Sequence, residues 1–235
     1  AITDHNSIKA WEEARKEAKK QGILFIPGEE VSTADGHLLA LGINEFIEQG
    51  MSAEETIERI REQGGIAIAP HPYDIKGDGL RDKALKADAI EVFNALNLDT
   101  LSNRLASIKA RKYNLSMVAG SDAHTLSMLG HGITIVKADD IDSALKAIKN
   151  GKIEIFGTYI SVNQILYWSK QRLMLSYMDV IEYINTHYSF PKAKLSFVLL
   201  NKFINSRSML AWHLLADFAI TIGRFYSIFN FVRYY

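Results

Sequence analysis

The chain has 235 residues, 48% apolar and 23% charged, which suits a large globular domain with or without an appendage and excludes disordered and fibrous classes. Lys+Arg and Asp+Glu number 27 each, so net charge gives no argument for nucleic acid or an acidic surface as partner, although a local basic patch is compatible with it. The cysteine count is 0, which excludes disulfides, thiolate metal sites and a cysteine nucleophile, and fits a cytoplasmic setting.

The chain opens on Ala1-Ile2-Thr3-Asp4-His5, which reads as the end of a buried strand rather than a leader. An N-terminal piece is therefore expected upstream, because an exposed sheet edge is a liability. A charged helix is predicted over 7–21, stopped by Gly22, followed by a strand over 23–26 that ends at Pro27-Gly28. A second apolar run covers 37–43. Ser52 and Glu55 open a helix with a capping-box pattern that stops at Gly64-Gly65. Strands over 66–69, 89–93, 115–119, 132–136 and 152–156 alternate with helices over 98–112 and 141–149. Buried rather than alternating strands, with helices between them, predict a parallel sheet with helices outside, as a barrel or an open doubly wound sheet. The composition changes near Tyr159, and three aromatic-rich helices are expected over 162–185, 192–205 and 209–231, with Pro191 at one joint. The last is long and apolar, but Asp217 and Arg224 interrupt it. It is expected to pack on the main domain or a second copy, with membrane-surface contact as the alternative.

Histidines and carboxylates fall at the ends of these strands. His5 follows the first stub, Glu30 the second strand, His71 the third. His37 opens the second apolar run, Glu91 lies within 89–93, and Asp122 and His124 follow 115–119. In parallel α/β folds the strand ends converge on one ligand-binding face. Imidazole and carboxylate suit manganese, zinc or iron, and a single carboxylate can bridge two ions. Any one of these residues alone reads more readily as a loop or capping residue than as a ligand; their recurrence at successive strand ends carries the argument. His187 and His213 lack that context, and His131 is ambiguous.

Taken together, Ile2-Thr3-Asp4-His5-Asn6, Pro27-Gly28-Glu29-Glu30-Val31-Ser32, His37-Leu38-Leu39-Ala40-Leu41-Gly42, Ala69-Pro70-His71-Pro72, Ile90-Glu91-Val92-Phe93-Asn94-Ala95 and Gly120-Ser121-Asp122-Ala123-His124 resemble the PHP (polymerase and histidinol phosphatase) family, in that family's order. The resemblance covers residues 1–157 and implies a distorted (β/α)7 barrel, truncated at its N-terminus and followed by a helical extension over 158–235. It further implies two or three divalent metal ions. Glu30 resembles the carboxylate bridging the first two, His37 and His71 further ligands of the second, Asp122 a ligand of the first, and His5 and His124 ligands of the third. Glu91 matches the family's strand motif without an assigned ion. Glu30 and Asp122 are the residues expected at the reaction centre. The family's opening His-x-His has no match here.

The implied activity is hydrolysis of a phosphate ester by metal-activated hydroxide, with a small phosphomonoester, a nucleotide or an oligonucleotide end as substrate. Long nucleic acid is disfavoured by the balanced charge. The alternative is a non-catalytic PHP-like scaffold whose helical tail binds a partner or a membrane surface. Amidohydrolase-like chemistry has only the shared architecture behind it.

Overall fold

The computed structural model describes residues 1–235. The chain divides into two units: 1–122 with 130–159 and 223–235, and 123–129 with 160–222.

In the first unit, helix α1 (Trp11–Lys20) buries only Trp11. The Trp11 indole N–H donates to the carbonyl of Gly28 at 2.8 Å, fixing α1 to the start of strand β1 (Gly28–Ser32). β1 pairs antiparallel with β2 (His37–Leu41), with Ser32 opposite His37. β3 (Ile66–Ala69) pairs antiparallel with β2, and β4 (Ala89–Asn94) and β5 (Ser116–Gly120) then add in parallel, giving a five-stranded sheet in sequential order. Helix α2 (Ala53–Glu62) lies between β2 and β3 in the chain, and α3 (Leu101–Lys112) between β4 and β5. β6 (Gly132–Val136) and β7 (Ile153–Gly157), separated by α4 (Ile141–Lys149), make a second, two-stranded antiparallel sheet.

The expected all-parallel sheet is thus corrected to a mixed one. The physical reason is the loop between β1 and β2: residues 33–36 are too few for a crossover, which takes a dozen residues or more, so the pair must be a hairpin. The expected strand over 23–26 is also absent. That stretch is irregular, and pairing begins at Pro27, which bridges Ile2, while Glu30 bridges His5.

A closed (β/α)7 barrel is not formed. Between β5 and β6 a side chain does the work of a ladder: the Thr134 hydroxyl donates to the Ala119 carbonyl and accepts from the Ala119 N–H, each at 2.9 Å. Gly132 permits that approach, because a Cβ there would overlap the Gly120 carbonyl.

Apolar side chains cover both faces of the five-stranded sheet. Leu38, Ile57, Ile60, Tyr73, Ile90 and Leu105 fill one side, beneath α2 and α3. Leu41, Ile66, Ile68, Val118, Leu145 and Ile148 fill the other, beneath α4. Each large aliphatic chain so buried contributes about 1.5–3 kcal/mol.

The second unit is helical. It contains α5 (Val162–Leu175), α6 (Tyr177–His187), α7 (Phe190–Ile204) and the first part of α8 (Leu210–Tyr234). The sequence predicts three helices from 162 onward and four are present, since the first expected helix breaks at Ser176 with no glycine or proline to signal it. Pro191 sits in the first turn of α7, where its missing N–H has no cost. By length and composition α8 is long and apolar enough to cross a membrane. Its last residues belong to the first unit, where Arg224 Nε donates to the Leu98 carbonyl at 3.3 Å and Tyr234 lies 5.9 Å from Tyr73, centroid to centroid.

Candidate metal centre

Glu30 is the hub. It sits mid-strand in β1 and is buried, its side chain only 11% exposed. Three imidazoles face its carboxylate. His37 Nδ1 lies 3.0 Å from Oε1, His71 Nε2 3.4 Å from the same oxygen, and His5 Nε2 3.7 Å from Oε2. The rings of His5 and His37 are 4.9 Å apart, and those of His37 and His71 5.4 Å, both edge-on. One donor atom from each of His5, Glu30 and His37 falls within 4.8 Å of the others, a spacing that one cation can occupy.

Backbone contacts bring these residues together. The segment carrying His5 runs parallel to β1, with the Asn6 N–H bonded to the Glu30 carbonyl at 3.0 Å and the Glu30 N–H to the Asp4 carbonyl at 3.2 Å. Asn6 completes the clamp through its side chain, donating to Ser32 Oγ at 3.0 Å and accepting from the Ser32 N–H at 2.8 Å. His37 starts β2, and its N–H donates to the Asp78 carbonyl at 2.8 Å. Asp78 belongs to the loop that His71 opens. Within that loop buried Asp74 accepts from the Gly79 N–H at 2.9 Å, and its carbonyl accepts from Arg81 Nη1 at 2.6 Å.

His71 and Asp122 both hold left-handed backbone conformations, at φ 30° and 50°. Such conformations cost free energy in residues other than glycine and concentrate where side chains must be aimed.

The electrostatics follow from this packing. Burial alone would raise the Glu30 pKa, but the adjacent imidazoles of His37 and His71 and the charge of His5 outweigh it and hold the carboxyl well below its usual range. Burial would likewise lower the His71 pKa, but Glu30, Glu91 and Asp74 raise it to about 9. Glu91 is fully desolvated, which pushes its pKa up to about 7 against the pull of His71 and Asn94.

Glu91 and Asp122 form a second cluster. Glu91 Oε2 accepts from the His71 N–H at 2.7 Å and from Asn94 Nδ2 at 3.0 Å, and Asn94 Nδ2 also reaches Asp122 Oδ2 at 3.2 Å. One amide thus serves two carboxylates that would otherwise repel. Gly120 leaves room for this carboxylate, since a Cβ there would meet Glu91 Oε1 and displace it. His124 lies in the second unit, where its ring packs against Trp168 with centroids 4.3 Å apart.

Two buried imidazole nitrogens test the fit of a metal. His37 Nδ1 is close to Glu30 without the alignment to share a proton with it, and His71 Nδ1 has no hydrogen-bond partner. Imidazole nitrogens and a carboxylate oxygen that converge in this way are of the types that suit a divalent cation. The ligand types are visible in the sequence, but no role for Asn6, Asn94 or Asp74 is. Asn6 and Asn94 fall within the motifs quoted above, and that is their only signal.

Over 114 residues the chain is 46% identical to MJ1587, an uncharacterised protein of Methanocaldococcus jannaschii; the match covers 48% of this chain and 67% of that one. A second uncharacterised protein of that organism, MJ0417, is 32% identical over 156 residues, covering 60% of this chain and 61% of its own length. A family model described as PHP-associated matches residues 100–153. The chain belongs to the PHP family.

The PHP chain is also similar in fold to two solved structures. One is a two-domain protein of Bacteroides vulgatus containing a predicted PHP-like metal-dependent phosphoesterase. It matches with a TM-score of 0.56 and 19% identity, over 67% of this chain and 55% of that one. The other is PsfC of Pseudomonas syringae, with a TM-score of 0.50 and 22% identity, over 66% of this chain and 68% of that one. This PHP chain therefore spans 55–68% of the length of the relatives and neighbours it matches.

Proposed function

We propose that this PHP chain carries a divalent-metal centre that hydrolyses a phosphate ester, with a small phosphomonoester, a nucleotide or an oligonucleotide end as substrate. The observation that supports this reading most directly is a buried, ionised Glu30 faced by His5, His37 and His71. Two or three ions of manganese, zinc or iron are the proposed cofactors. Glu30, His37 and His71 would hold one, with His5 next to them; Asp122 and His124 are proposed as ligands of further ions on the family resemblance alone. Bound ions of this kind acidify water and neutralise charge developing on a transferring phosphoryl group.

The chain's own residues supply the rest. Glu30 presents an anionic carboxylate in a site shielded from water, where electrostatic attraction is stronger than in solvent. Glu91, poised near neutral pH, can hold or release a proton at its carboxyl while its bond to the His71 N–H fixes the ligand loop. Asn94 keeps Asp122 and Glu91 side by side.

The test combines metal analysis with hydrolysis of p-nitrophenyl phosphate in added manganese or zinc. The wild-type chain is expected to retain at least one ion and to turn over substrate, and His71→Ala and Asp122→Ala to lose turnover. Undiminished turnover in both variants overturns the site assignment. Less than one ion per chain after reconstitution overturns the metal centre itself.

A further inference from the structure

The charge of the chain is segregated along its length. Residues 158–235 carry eight Lys/Arg against three Asp/Glu, whereas residues 1–157 carry 19 against 24. The neutral total therefore conceals a basic extension. Helix α7 concentrates the excess: Lys192, Lys194 and Lys202 are exposed, no carboxylate occurs in it, and exposed Phe190, Leu195, Val198 and Leu199 are interleaved with them.

Helix α8 is turned inside out. Leu214, Phe218, Ile222, Phe225, Phe229 and Val232 follow one another at steps of three or four residues, the spacing of a single helix face, and each is more than half exposed. No charged residue before Arg233 falls within that stripe; Asp217 and Arg224 flank it. The stripe runs from 214 to 232, about 27 Å of a 25-residue helix. Soluble proteins rarely leave so long an apolar strip uncovered. The opposite side of the C-terminal half is already engaged. Ser227 is buried, Arg224 bonds the Leu98 carbonyl, and Arg104 lies over the Phe231 ring. Crossing a bilayer would tear those contacts out, whereas lying along a bilayer surface would keep them.

We propose that the helical extension docks on an anionic lipid surface, with the α8 stripe entering the headgroup–acyl boundary and the lysines of α7 meeting acidic headgroups. Buried apolar area together with electrostatic attraction is what holds such helices at an interface. A second copy of the chain is disfavoured as the occupant, because it would bring two extensions of the same sign together. The inference stands apart from the metal centre and does not depend on it.

The experiment is flotation of the full chain with vesicles of phosphatidylcholine alone and of phosphatidylcholine with about one third phosphatidylglycerol, at about 0.1 M and about 0.5 M salt. The wild-type chain is expected to float with the anionic vesicles and to release as salt rises. Lys192→Glu/Lys194→Glu/Lys202→Glu and Phe218→Ser/Phe225→Ser/Phe229→Ser should each lower binding by at least about tenfold. Unchanged circular dichroism would show that both variants are folded. Absence of flotation with anionic vesicles, equal binding to neutral ones, or equal binding by folded variants overturns the proposal. So does sedimentation equilibrium showing a lipid-free dimer that the Phe variant abolishes, which would assign the stripe to a second copy.

Discussion

Glu30 stays ionised in a buried position because three imidazoles face it, and the residues that hold those imidazoles in place matter as much as the ligands. Asn94→Ala would leave Glu91 and Asp122 adjacent and without their shared donor. The expected result is a loss of about 10–100-fold in metal affinity, read by competition with a chelator. Gly120→Ala would drive a methyl group into the Glu91 carboxylate, at a cost of about 1–3 kcal/mol in chemical denaturation. The titrating groups also set a pH profile for the metal-free chain. Glu91, raised from 4.5 to about 7, contributes stability that is lost as pH rises through that window, and His71, raised from 6.5 to about 9, does the same at higher pH. Glu30, held below its ordinary 4.5, contributes stability that is lost in acid. Thermal melts in a chelator should therefore peak on the acid side of neutrality and fall steadily toward pH 9. A flat profile across that range would contradict the burial and pairing of these groups. The ligand types are legible in the sequence because few side chains can hold a hard or borderline cation. Asn6 and Asn94 are not, since a positioning amide has no chemistry of its own to betray it.

Helices announce themselves through their ends, and strands hide their direction. Ser52 accepts from the Glu55 N–H at 3.2 Å, as the capping pattern predicts, so Ser52→Ala should lower stability by about 1 kcal/mol without affecting metal content. The sheet direction is easily misread because β1, β2 and β3 are apolar enough to look like buried parallel strands. The corrective signal is Asp35-Gly36 in a four-residue connection, a turn pair typical of hairpins. The apolar run 23–26 misleads in another way: periodicity cannot distinguish a strand from an extended stretch that has no partner. The break at Ser176 has only a weak local signal, Ser176 followed three residues on by Asp179, set within an otherwise continuous apolar run.

For the molecule as a whole, the sequential order of the five-stranded sheet lets His5, Glu30, His37 and His71 meet although 66 positions separate the first from the last. Membership of the family is legible from motifs spread over the first 157 residues, whereas a barrel that does not close is not, because strand pairing is a long-range property that the motif residues do not specify. The segment bearing His5 has a further consequence. It lies on β1 through the Asn6 N–H, the Asp4 carbonyl and the Asn6–Ser32 side-chain pair, with exposed residues on either side. An ion shared by His5 and Glu30 would act as a clasp, pinning this strip to β1. Amide hydrogen exchange at Asn6 would then report occupancy directly, slow with the ion in place and fast once it is stripped, and limited proteolysis ahead of α1 would follow the same rhythm.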